Sequence, residues 1–479
     1  MGFAESDGPS GPLLESAPVR GILSAAAYLP HGRLDRSTIG AFLGSGGGRG
    51  TRTVASFDED TTTMGFEAAR LALRSAGDDV CPNALWFSTV TPAYVDKTNA
   101  TTIHEALRLD DDVPAFDFGG AQRSAVGALR TALNGPGTTL VVASDIRTGL
   151  PGSGDEVSGG DGASAVLVGD GPAVIAEYLG GASQSEEFVD RWRAPGGERS
   201  KLWEERFGET RYLPLGERAF QAALKEADLS PEQVDQLIVT GLHTRAATAL
   251  AGRLGVAGEN VVDNRAGAIG NTGAAHPGLL LTSVLESATP GKVIALLVLA
   301  DGADAMVFRA TEAIASFQPS RTVDAQTEGG APVTYGKFLA WRKMLPLEPP
   351  RRPEPLRPSS SAAGRSLDWK YGFVGRADPD TGAPQMPPLP SGSDPIPMAD
   401  VPGTIVTYTI DHLVYSESPP VIFGIVDFDG GGRLPIELTD VAPDDVKPGV
   451  RVEMTFRKLF TSDDIHNYFW KARPIRGAN

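Results

Sequence analysis

Residues 19 to about 310 alternate between short apolar runs and amphipathic segments, and this alternation constrains the fold more than any other feature. Segments 19–28, 85–89 and 140–144 are apolar runs typical of buried strands. Segment 61–76 has the period of an amphipathic helix. Strands that alternate with helices predict a layered α/β structure whose sheets are at least partly parallel.

The second half of this region repeats the pattern. Helical segments such as 215–227 and 277–286 alternate with apolar runs such as 236–240. Late in each half a short sequence recurs, since Asp161-Gly-Ala-Ser-Ala-Val is echoed by Asp301-Gly-Ala-Asp-Ala-Met. An echo this short fits a duplicated fold and two unrelated glycine turns equally well.

The pattern changes after about residue 310. Segment 344–365 is rich in Pro, Arg and Ser and cannot form a continuous helix or a central strand, so 311–365 is predicted to be a linker or a wrapping arm. Five short apolar runs follow between 403 and 474, and Asp-Gly-Gly-Gly at 429–432 is a hairpin signal between two of them. This spacing favours a small β-barrel.

Charge and cysteine usage limit the function. The 479 residues include 60 acidic and 43 basic side chains, a formal net charge of −17, which argues against nucleic-acid binding. The single cysteine, Cys81, excludes an intrachain disulfide and a multi-cysteine metal site. No apolar run approaches the about 20 residues of a membrane span. Residues 1–18, predicted to be a flexible tail, lack the pattern of a signal peptide. A cytoplasmic protein without a membrane partner is expected.

Several segments carry a resemblance to a known family. GILSAAAYLPHGRLDRSTIGAFL, FDEDTTTMGFEAARLAL and TPAYVDKTNATTIHEAL resemble the HMG-CoA synthase-like branch of the thiolase superfamily, close to its archaeal members, with ketoacyl-ACP synthase III enzymes as more distant relatives. The resemblance continues through GDGASAVLVGD and GNTGAA to about residue 310. It implies a duplicated thiolase-like domain with five α/β/α/β/α layers, in halves 19–170 and 171–310, usually as a homodimer.

The C-terminal part resembles a second family. In 403–479, GTIVTYTI and DVAPDDVKPGVRVEMTFRKL are similar to the OB-fold domain that accompanies thiolase-like proteins, normally behind a rubredoxin-like zinc ribbon. Segment 366–402 has Asp378 and Thr381 where the ribbon has Cys-x-x-Cys, so it is predicted to be a degenerate ribbon without a metal. The whole chain is therefore predicted to be an α/β thiolase-like domain followed by an all-β OB-fold barrel.

The resemblance implies an acyl-CoA substrate and no cofactor besides the CoA of that substrate. Family members use a cysteine thiolate as acyl carrier and a glutamate as general acid and base. Aligned residue by residue, the cysteine position is Gln122 and the glutamate position is Val90. A carboxamide cannot form an acyl-enzyme, and Cys81, which precedes a proline and a buried strand, does not replace it.

Two polar family positions are matched in this sequence. His243 aligns with the family histidine and Asn271 with the family asparagine, which bind the thioester carbonyl. The alternatives are a strand-end histidine bonded to the backbone and a turn-forming asparagine. Tyr94, Asp117 and His276 are candidates for substrate contacts or for a general base; His276 also fits a simple helix start.

Three functions remain open. The favoured one is an enzyme that makes or breaks a C–C bond next to a CoA thioester without an acyl-cysteine, by retro-aldol cleavage or decarboxylation. The second is a catalytically silent scaffold that holds a thiolase or an OB-domain protein. The third, a true hydroxymethylglutaryl-CoA synthase or acyltransferase, is opposed by Val90 and Gln122. An open polar pocket at His243 and Asn271 would favour the first, and a filled one the second.

Overall fold

The computed structural model of the protein describes residues 19–77, 80–197, 199–390 and 394–475. The predicted flexible tail, 1–18, lies outside the described residues. Within the described ranges, no helix is both long enough and apolar enough to cross a lipid bilayer.

The first half of the α/β region folds around a mixed five-stranded sheet. In chain order its elements are β1 (Arg20–Tyr28), β2 (Gly32–Asp35), α1 (Ser37–Leu43), β3 (Thr51–Val54), α2 (Thr61–Ala76), β4 (Ala84–Ser88), α3 (Ala100–Leu107), β5 (Ala115–Asp117), α4 (Arg123–Asn134), β6 (Thr139–Asp145), α5 (Gly154–Ser158) and β7 (Gly162–Asp170). The strand order is β5-β4-β6-β7-β1, and β7 runs antiparallel to both of its neighbours.

The second half repeats this topology. Its elements are β8 (Ala176–Ser185), β9 (Arg191–Trp192), β10 (Lys201–Leu202), α6 (Glu205–Glu226), β11 (Gln236–Gly241), α7 (Thr244–Ala251), α8 (His276–Leu285), β12 (Val293–Leu299) and β13 (Gly302–Ala310). The order is β11-β12-β13-β8 with β13 antiparallel, and Val261 makes one parallel bridge to Leu237 at the edge where the first half has β5. Gly162 and Gly302 of the sequence echo both begin the antiparallel strand, so the duplication is confirmed.

The predicted five layers are present. Leu129 of α4 and Leu280 of α8 share one buried core with Val166 of β7 and Leu296 of β12, so both helices lie between the two sheets. Helix α2 covers the outer face of the first sheet and α6 the outer face of the second. The two sheets join where β1 pairs with β8 over two residues.

Residues 311–365, predicted to be a linker or a wrapping arm, divide into two parts. The first part contains α9 (Val323–Glu328), β14 (Ala331–Pro332) and α10 (Tyr335–Trp341), and the second ends in α11 (Ser360–Gly364). Val323 and Phe338 are fully buried, and Gln326 bonds to the backbone of β1 and of the residue after it at 2.8 and 2.9 Å. Residues 342–359, all described, form neither helix nor strand. Parts of 311–341 are therefore packed on the domain, whereas most of the remaining residues to 365 lack regular structure.

Segment 366–402, predicted to be a degenerate ribbon, contains four short elements in its described part. It contains α12 (Leu367–Lys370), β15 (Val374–Ala377), β16 (Pro384–Gln385) and β17 (Pro395–Pro397). The Asp378 carboxylate accepts hydrogen bonds from the Thr381 backbone at 2.8 Å and from Gln385 Nε2 at 2.7 Å. Side chains that close a turn thus occupy the predicted first knuckle, and the described residues contain no cluster that could hold a metal ion.

The C-terminal strands close into the predicted barrel. They are β18 (Gly403–Asp411), β19 (Val421–Phe428), β20 (Arg433–Leu438), β21 (Arg451–Ser462) and β22 (Ile465–Pro474), in the closed order β18-β19-β20-β22-β21. The turn at 429–432 joins β19 to β20 as predicted. Phe456 and Trp470 are fully buried and contact Phe66 of α2, with ring centroids 5.3 and 5.5 Å away. The barrel therefore packs on α2.

Charged groups are buried in this interface. Arg473 Nη2 lies 2.8 Å from Glu67 Oε2, and Lys471 Nζ lies 3.0 Å from Asp58 Oδ2. Each of these four side chains is at most 3% exposed. Since a buried charge is tolerated only with a partner, these pairs fix how the barrel sits on the thiolase-like domain.

We expect Arg473→Met to destabilise the protein by about 3 kcal/mol, because it leaves the carboxylates of Glu67 and Glu453 buried with less compensation. Urea unfolding followed by circular dichroism measures this. The control is Arg433→Met, which removes an exposed pair with Asp427 and should change little. Equal midpoints for the two variants would contradict the prediction.

Glu286 is expected to make the arm sensitive to pH. Both carboxylate oxygens accept from the backbone N–H of Val323, and burial raises the pKa of Glu286 to about 7. Because the pKa of Glu286 is higher in the folded state, protonated Glu286 adds to the free energy of unfolding, and this contribution is complete below about pH 4.5. The contribution is lost as the pH rises through 7. The difference in unfolding free energy between the parent and Glu286→Gln should therefore fall between pH 4.5 and 7. Glu312→Gln, an exposed change in the same segment, is the control, and a pH-independent difference for Glu286→Gln refutes the idea.

Candidate functional site

Gln122 lies at the N-terminus of α4, between the two sheets. It is the N-cap residue of the helix, yet its side chain makes no capping bond. Nε2 instead donates to the Gly273 carbonyl at 3.0 Å, and the residue is 7% exposed. The carboxamide at the predicted nucleophile position thus connects the start of α4 with the loop that carries Asn271.

Asn271 lies in the loop before α8. Its Nδ2 donates to the Gly241 carbonyl at 3.0 Å, and its Oδ1 accepts from the Gly273 backbone at 2.9 Å. Gly273 has φ +62°, and a Cβ there would lie 2.2 Å from Asp145 Oδ2. Both the positive φ and the close contact require glycine at position 273. Gln122 and Asn271 both bond to the backbone of Gly273, and this brings the two side chains together.

His243 follows the end of β11 by two residues and caps α7. Its Nδ1 accepts from the Ala246 backbone at 3.1 Å, so the neutral ring carries its proton on Nε2, which donates to the Glu205 carbonyl at 2.9 Å. Within the described ranges, no hydrogen bond joins His243 to Gln122 or Asn271. The arrangement is that of the alternative considered from sequence, a strand-end histidine bonded to the backbone.

Asp145, at the end of β6, organises the same region and was not predicted. Its Oδ1 accepts from Val90 N at 2.8 Å and from the Thr89 hydroxyl at 3.0 Å, and its Oδ2 accepts from Ala274 N at 2.7 Å. Burial raises the pKa of this carboxyl, while nearby Arg147 and the three donors oppose the shift. The sequence signal was an aspartate that ends an apolar strand, in LVVASD.

Val90, predicted to stand at the family glutamate position, bonds to this region through its backbone. Its N–H bonds to Asp145, and its carbonyl accepts from Arg193 Nη2 at 2.6 Å. Arg191, on the same hairpin as Arg193, forms a two-bond pair with Asp155 of α5 at 2.9 and 2.7 Å. These contacts with Val90 and Asp155 hold the segment that begins with β9 on two sides of the Gln122 and Asn271 region. The Val90 side chain cannot transfer a proton.

Two of the candidate bases, Tyr94 and Asp117, lie in other places. The Tyr94 hydroxyl accepts from the His466 backbone at 2.8 Å, at the barrel interface. The Asp117 carboxylate accepts from the backbone N–H groups of Asn99 and Ala100 at 2.7 and 2.8 Å, and so caps α3. Neither residue contacts Gln122 or Asn271 among the hydrogen bonds of the described residues.

His276 lies in the interior, 1% exposed, at the start of α8. Burial lowers its pKa to about 4, so the ring is neutral at physiological pH. Its Nδ1 accepts weakly from the Thr272 backbone at 3.3 Å, and the ring also bonds to the Asn264 backbone. His276 therefore supports the loop that follows Asn271 from behind.

Cys81 lies exposed between α2 and β4, as a free thiol, away from the start of α4. The Gln122 and Asn271 site thus offers amide donors held on backbone carbonyls. The second N–H of each amide can stabilise a developing oxyanion, but among the described residues the site holds neither a nucleophile nor a free carboxylate.

A surface cleft opens beside the start of α7. It has a volume of about 480 Å³ and lies between α6 and α7. Its walls include the guanidinium groups of Arg206, Arg245 and Arg253 and the carboxylate of Glu209, which pairs with Arg245 at 2.7 Å. Three cations in one cleft, two residues from His243 in sequence, can bind a phosphorylated group.

Comparison with known proteins places both parts of the chain. The hydroxymethylglutaryl-CoA synthase of Aeropyrum pernix is 31% identical over 304 residues, which cover 61% of this chain and 84% of that protein. The enzyme of the same name from Thermococcus sibiricus is 29% identical over 299 residues, with 60% and 85% covered.

The fold comparison agrees. The crystal structure of 3-oxoacyl-(acyl carrier protein) synthase III from Pseudomonas aeruginosa PAO1 superposes with a TM-score of 0.53 at 21% identity, over 61% of this chain and 98% of that chain. Residues 396–457 match the family model described as the ChsH2, C-terminal OB-fold domain. The chain belongs to the hydroxymethylglutaryl-CoA synthase family and carries, in addition, a C-terminal OB-fold domain.

Proposed function

We propose that the protein binds a CoA thioester and acts on it without an acyl-enzyme. The observation that carries the proposal is Gln122, a carboxamide at the N-terminus of α4, bonded to the loop that holds Asn271. A carboxamide cannot carry an acyl group, but its N–H and that of Asn271 can stabilise the negative charge of a thioester enolate.

Among reactions that form such an enolate, decarboxylation fits this arrangement best. In a malonyl-type thioester the bond between the α-carbon and the carboxylate breaks, CO₂ leaves, and the electron pair moves to the thioester oxygen. Water then protonates the α-carbon. No general base is required, whereas retro-aldol cleavage needs one for the β-hydroxyl, and Tyr94, Asp117 and His276 all hold hydrogen bonds to backbone N–H groups.

Condensation of the hydroxymethylglutaryl-CoA synthase type is disfavoured. The relatives carry that name, but the positions that correspond to the family cysteine and glutamate hold Gln122 and Val90. A stable acetyl adduct on the protein would establish the synthase reaction instead.

We place the phosphates of CoA in the cleft between α6 and α7. Arg206, Arg245 and Arg253 line it, and paired phosphates are the groups that clustered guanidinium forks bind best. His243 caps α7, so the helix that carries Arg245 also borders the strand end to which Asn271 bonds.

A scaffold is the second candidate, and one observation favours it. The Gln122 and Asn271 amides each donate one N–H to a backbone carbonyl, and His243 Nε2 donates to the Glu205 carbonyl, so all three side chains are held by the protein's own backbone without a ligand. In this case the domain would hold a partner, such as a thiolase or an OB-domain protein, without turnover.

The test incubates the purified full chain with malonyl-CoA, acetoacetyl-CoA and a β-hydroxyacyl-CoA, followed by mass spectrometry of products and protein. Acetyl-CoA formed from malonyl-CoA without a protein adduct is expected, and Gln122→Ala should lower the rate about a hundredfold. Cys81→Ser, an exposed change, is the control and should leave the rate unaltered. Absence of turnover together with co-purification of a thiolase would establish the scaffold instead.

A binding measurement separates recognition from chemistry. Arg245→Ala with Arg253→Ala should weaken CoA binding and reduce its dependence on salt, as measured by calorimetry. Arg433→Ala on the barrel is the matched control. Unchanged affinity in the cleft variant would remove the cleft from the proposal while leaving the reaction open.

We also propose that the protein is a homodimer joined through β5. This strand ends the sheet, and its Phe116 side chain is 57% exposed. An edge strand with an exposed aromatic residue is suited to antiparallel pairing with a second copy across a two-fold axis. In sedimentation, Phe116→Asp should give monomers and Phe423→Asp, an exposed change on the barrel, should remain dimeric. A monomeric parent chain contradicts this.

A further inference from the structure

Arg147 follows the end of β6 by two residues and carries a cation that the proposed function does not yet use. Its backbone is held firmly, since its N–H donates to Asp161 Oδ1 at 2.8 Å and its carbonyl accepts from Arg52 Nη2 at 2.8 Å. Its guanidinium, in contrast, forms no hydrogen bond and no ion pair with any residue that the structure describes. The side chain is partly exposed, so a ligand can reach it.

The aliphatic part of Arg147 passes between two glycines. A Cβ at Gly159 would lie 2.8 Å from Arg147 Cβ, and a Cβ at Gly273 would lie 2.9 Å from Arg147 Cδ. Gly273 is also the residue to whose backbone the side chains of Gln122 and Asn271 bond. The guanidinium begins one bond beyond Cδ, so the cation and the two amides meet at the same glycine.

The charges around Arg147 do not balance. Arg191 and Arg193 lie nearby, and the nearby carboxylates are those of Asp145 and Asp155. Asp155 already forms a two-bond pair with Arg191, and Asp145 accepts three hydrogen bonds from uncharged donors. Burial lowers the pKa of Arg147, although Asp145 opposes this shift. Three cations thus lie close to two carboxylates, and one further anion would balance the group.

A carboxylate on the acyl group is the anion that fits this place. A guanidinium binds a carboxylate through two parallel N–H bonds, and Arg147 has these donors unused. The phosphates of CoA are separated from the thioester by the pantetheine arm. When a thioester oxygen lies at the Gln122 and Asn271 amides, the anion beside it therefore belongs to the acyl group.

We propose that Arg147 binds a free carboxylate on the acyl group, so that the substrates of the protein are CoA thioesters of short dicarboxylic acids. This inference rests on the proposed function, because it requires a CoA thioester at Gln122 and Asn271. It adds the class of acyl group and the residue that selects it.

Arg147 acts on binding rather than on the chemical step. In the decarboxylation proposed above, the carboxylate is paired with Arg147 in the substrate complex, and its charge moves to the thioester oxygen as CO₂ leaves. The ion pair is therefore strongest before the reaction, whereas the amides of Gln122 and Asn271 act in the transition state. Removal of the guanidinium should raise KM for malonyl-CoA without lowering kcat.

Binding is tested by calorimetry on the full chain with succinyl-CoA and butyryl-CoA, whose acyl groups have the same number of carbons. Only succinyl-CoA carries the carboxylate, so the parent should bind it more tightly. Arg147→Met keeps an aliphatic side chain between the two glycines and removes the charge. It should weaken succinyl-CoA binding about tenfold to a hundredfold and change butyryl-CoA binding less than about twofold.

Two further variants separate charge from packing. Arg147→Lys retains a cation and should recover part of the affinity for succinyl-CoA. Arg433→Met, an exposed change on the barrel, is the matched control and should bind both thioesters like the parent. Circular dichroism of each variant verifies the fold.

Steady-state kinetics with malonyl-CoA supply the second readout, in which Arg147→Met should raise KM about tenfold or more at unchanged kcat. Equal affinity of the parent for the two thioesters, or an equal loss of both in Arg147→Met, overturns the role of Arg147 and leaves the proposed function standing. A preference for succinyl-CoA that Arg147→Met abolishes, without turnover of malonyl-CoA, supports this inference and removes the proposed decarboxylation.

Discussion

The contact on which the rest of the structure depends is a set of buried charges between the barrel and the thiolase-like domain. Arg457, Lys471 and Arg473 of the barrel face Glu59, Asp58 and Glu67 of the domain, all at most 3% exposed as side chains. Burial alone would raise the pKa of Glu67, yet Arg473 and Arg70 outweigh it and hold that pKa below its usual value. Each set of charges would be strongly unfavourable without the other, so the two domains form one unit.

The duplicated fold explains why the barrel sits on the first half. When α2 and α6 are aligned on Gly65 and Gly216, which both lie at close helix–neighbour contacts, the barrel-facing Phe66, Glu67 and Arg70 correspond to Glu217, Arg218 and Gln221. The α2 residues are buried under the barrel, whereas Arg218 and Gln221 are exposed. One copy of the repeat thus presents a docking face, and the other presents a solvated one.

Much of the architecture could be predicted, because alternating strand and helix patterns specify layers, and the repeat specifies their order. The edge of the second sheet that corresponds to β5 could not be predicted, because the single bridge at Val261 leaves no periodic pattern in the sequence. The packing of the arm could not be predicted either. Val323 and Phe338 lie in a segment that the sequence assigned to a linker, and their burial depends on tertiary contacts.

The candidate site was predicted in part. Gln122 and Asn271 were placed in one region by the family pattern, and they meet through Gly273. The surroundings of Tyr94 and Asp117 were not predictable, because their partners come from a barrel strand and from the start of α3. A polar side chain near a strand end can bind a substrate or cap a helix. The residue type alone does not distinguish the two roles.

The ordered arm has a consequence for assembly. Because residues 311–402 join the barrel covalently to the domain it covers, the two are made in equal numbers, and their association does not depend on protein concentration. A free OB-domain protein would have to displace a tethered competitor of very high effective concentration from α2. Any exchange of barrels between chains is therefore suppressed by connectivity alone, and a further protein must find another face of the molecule.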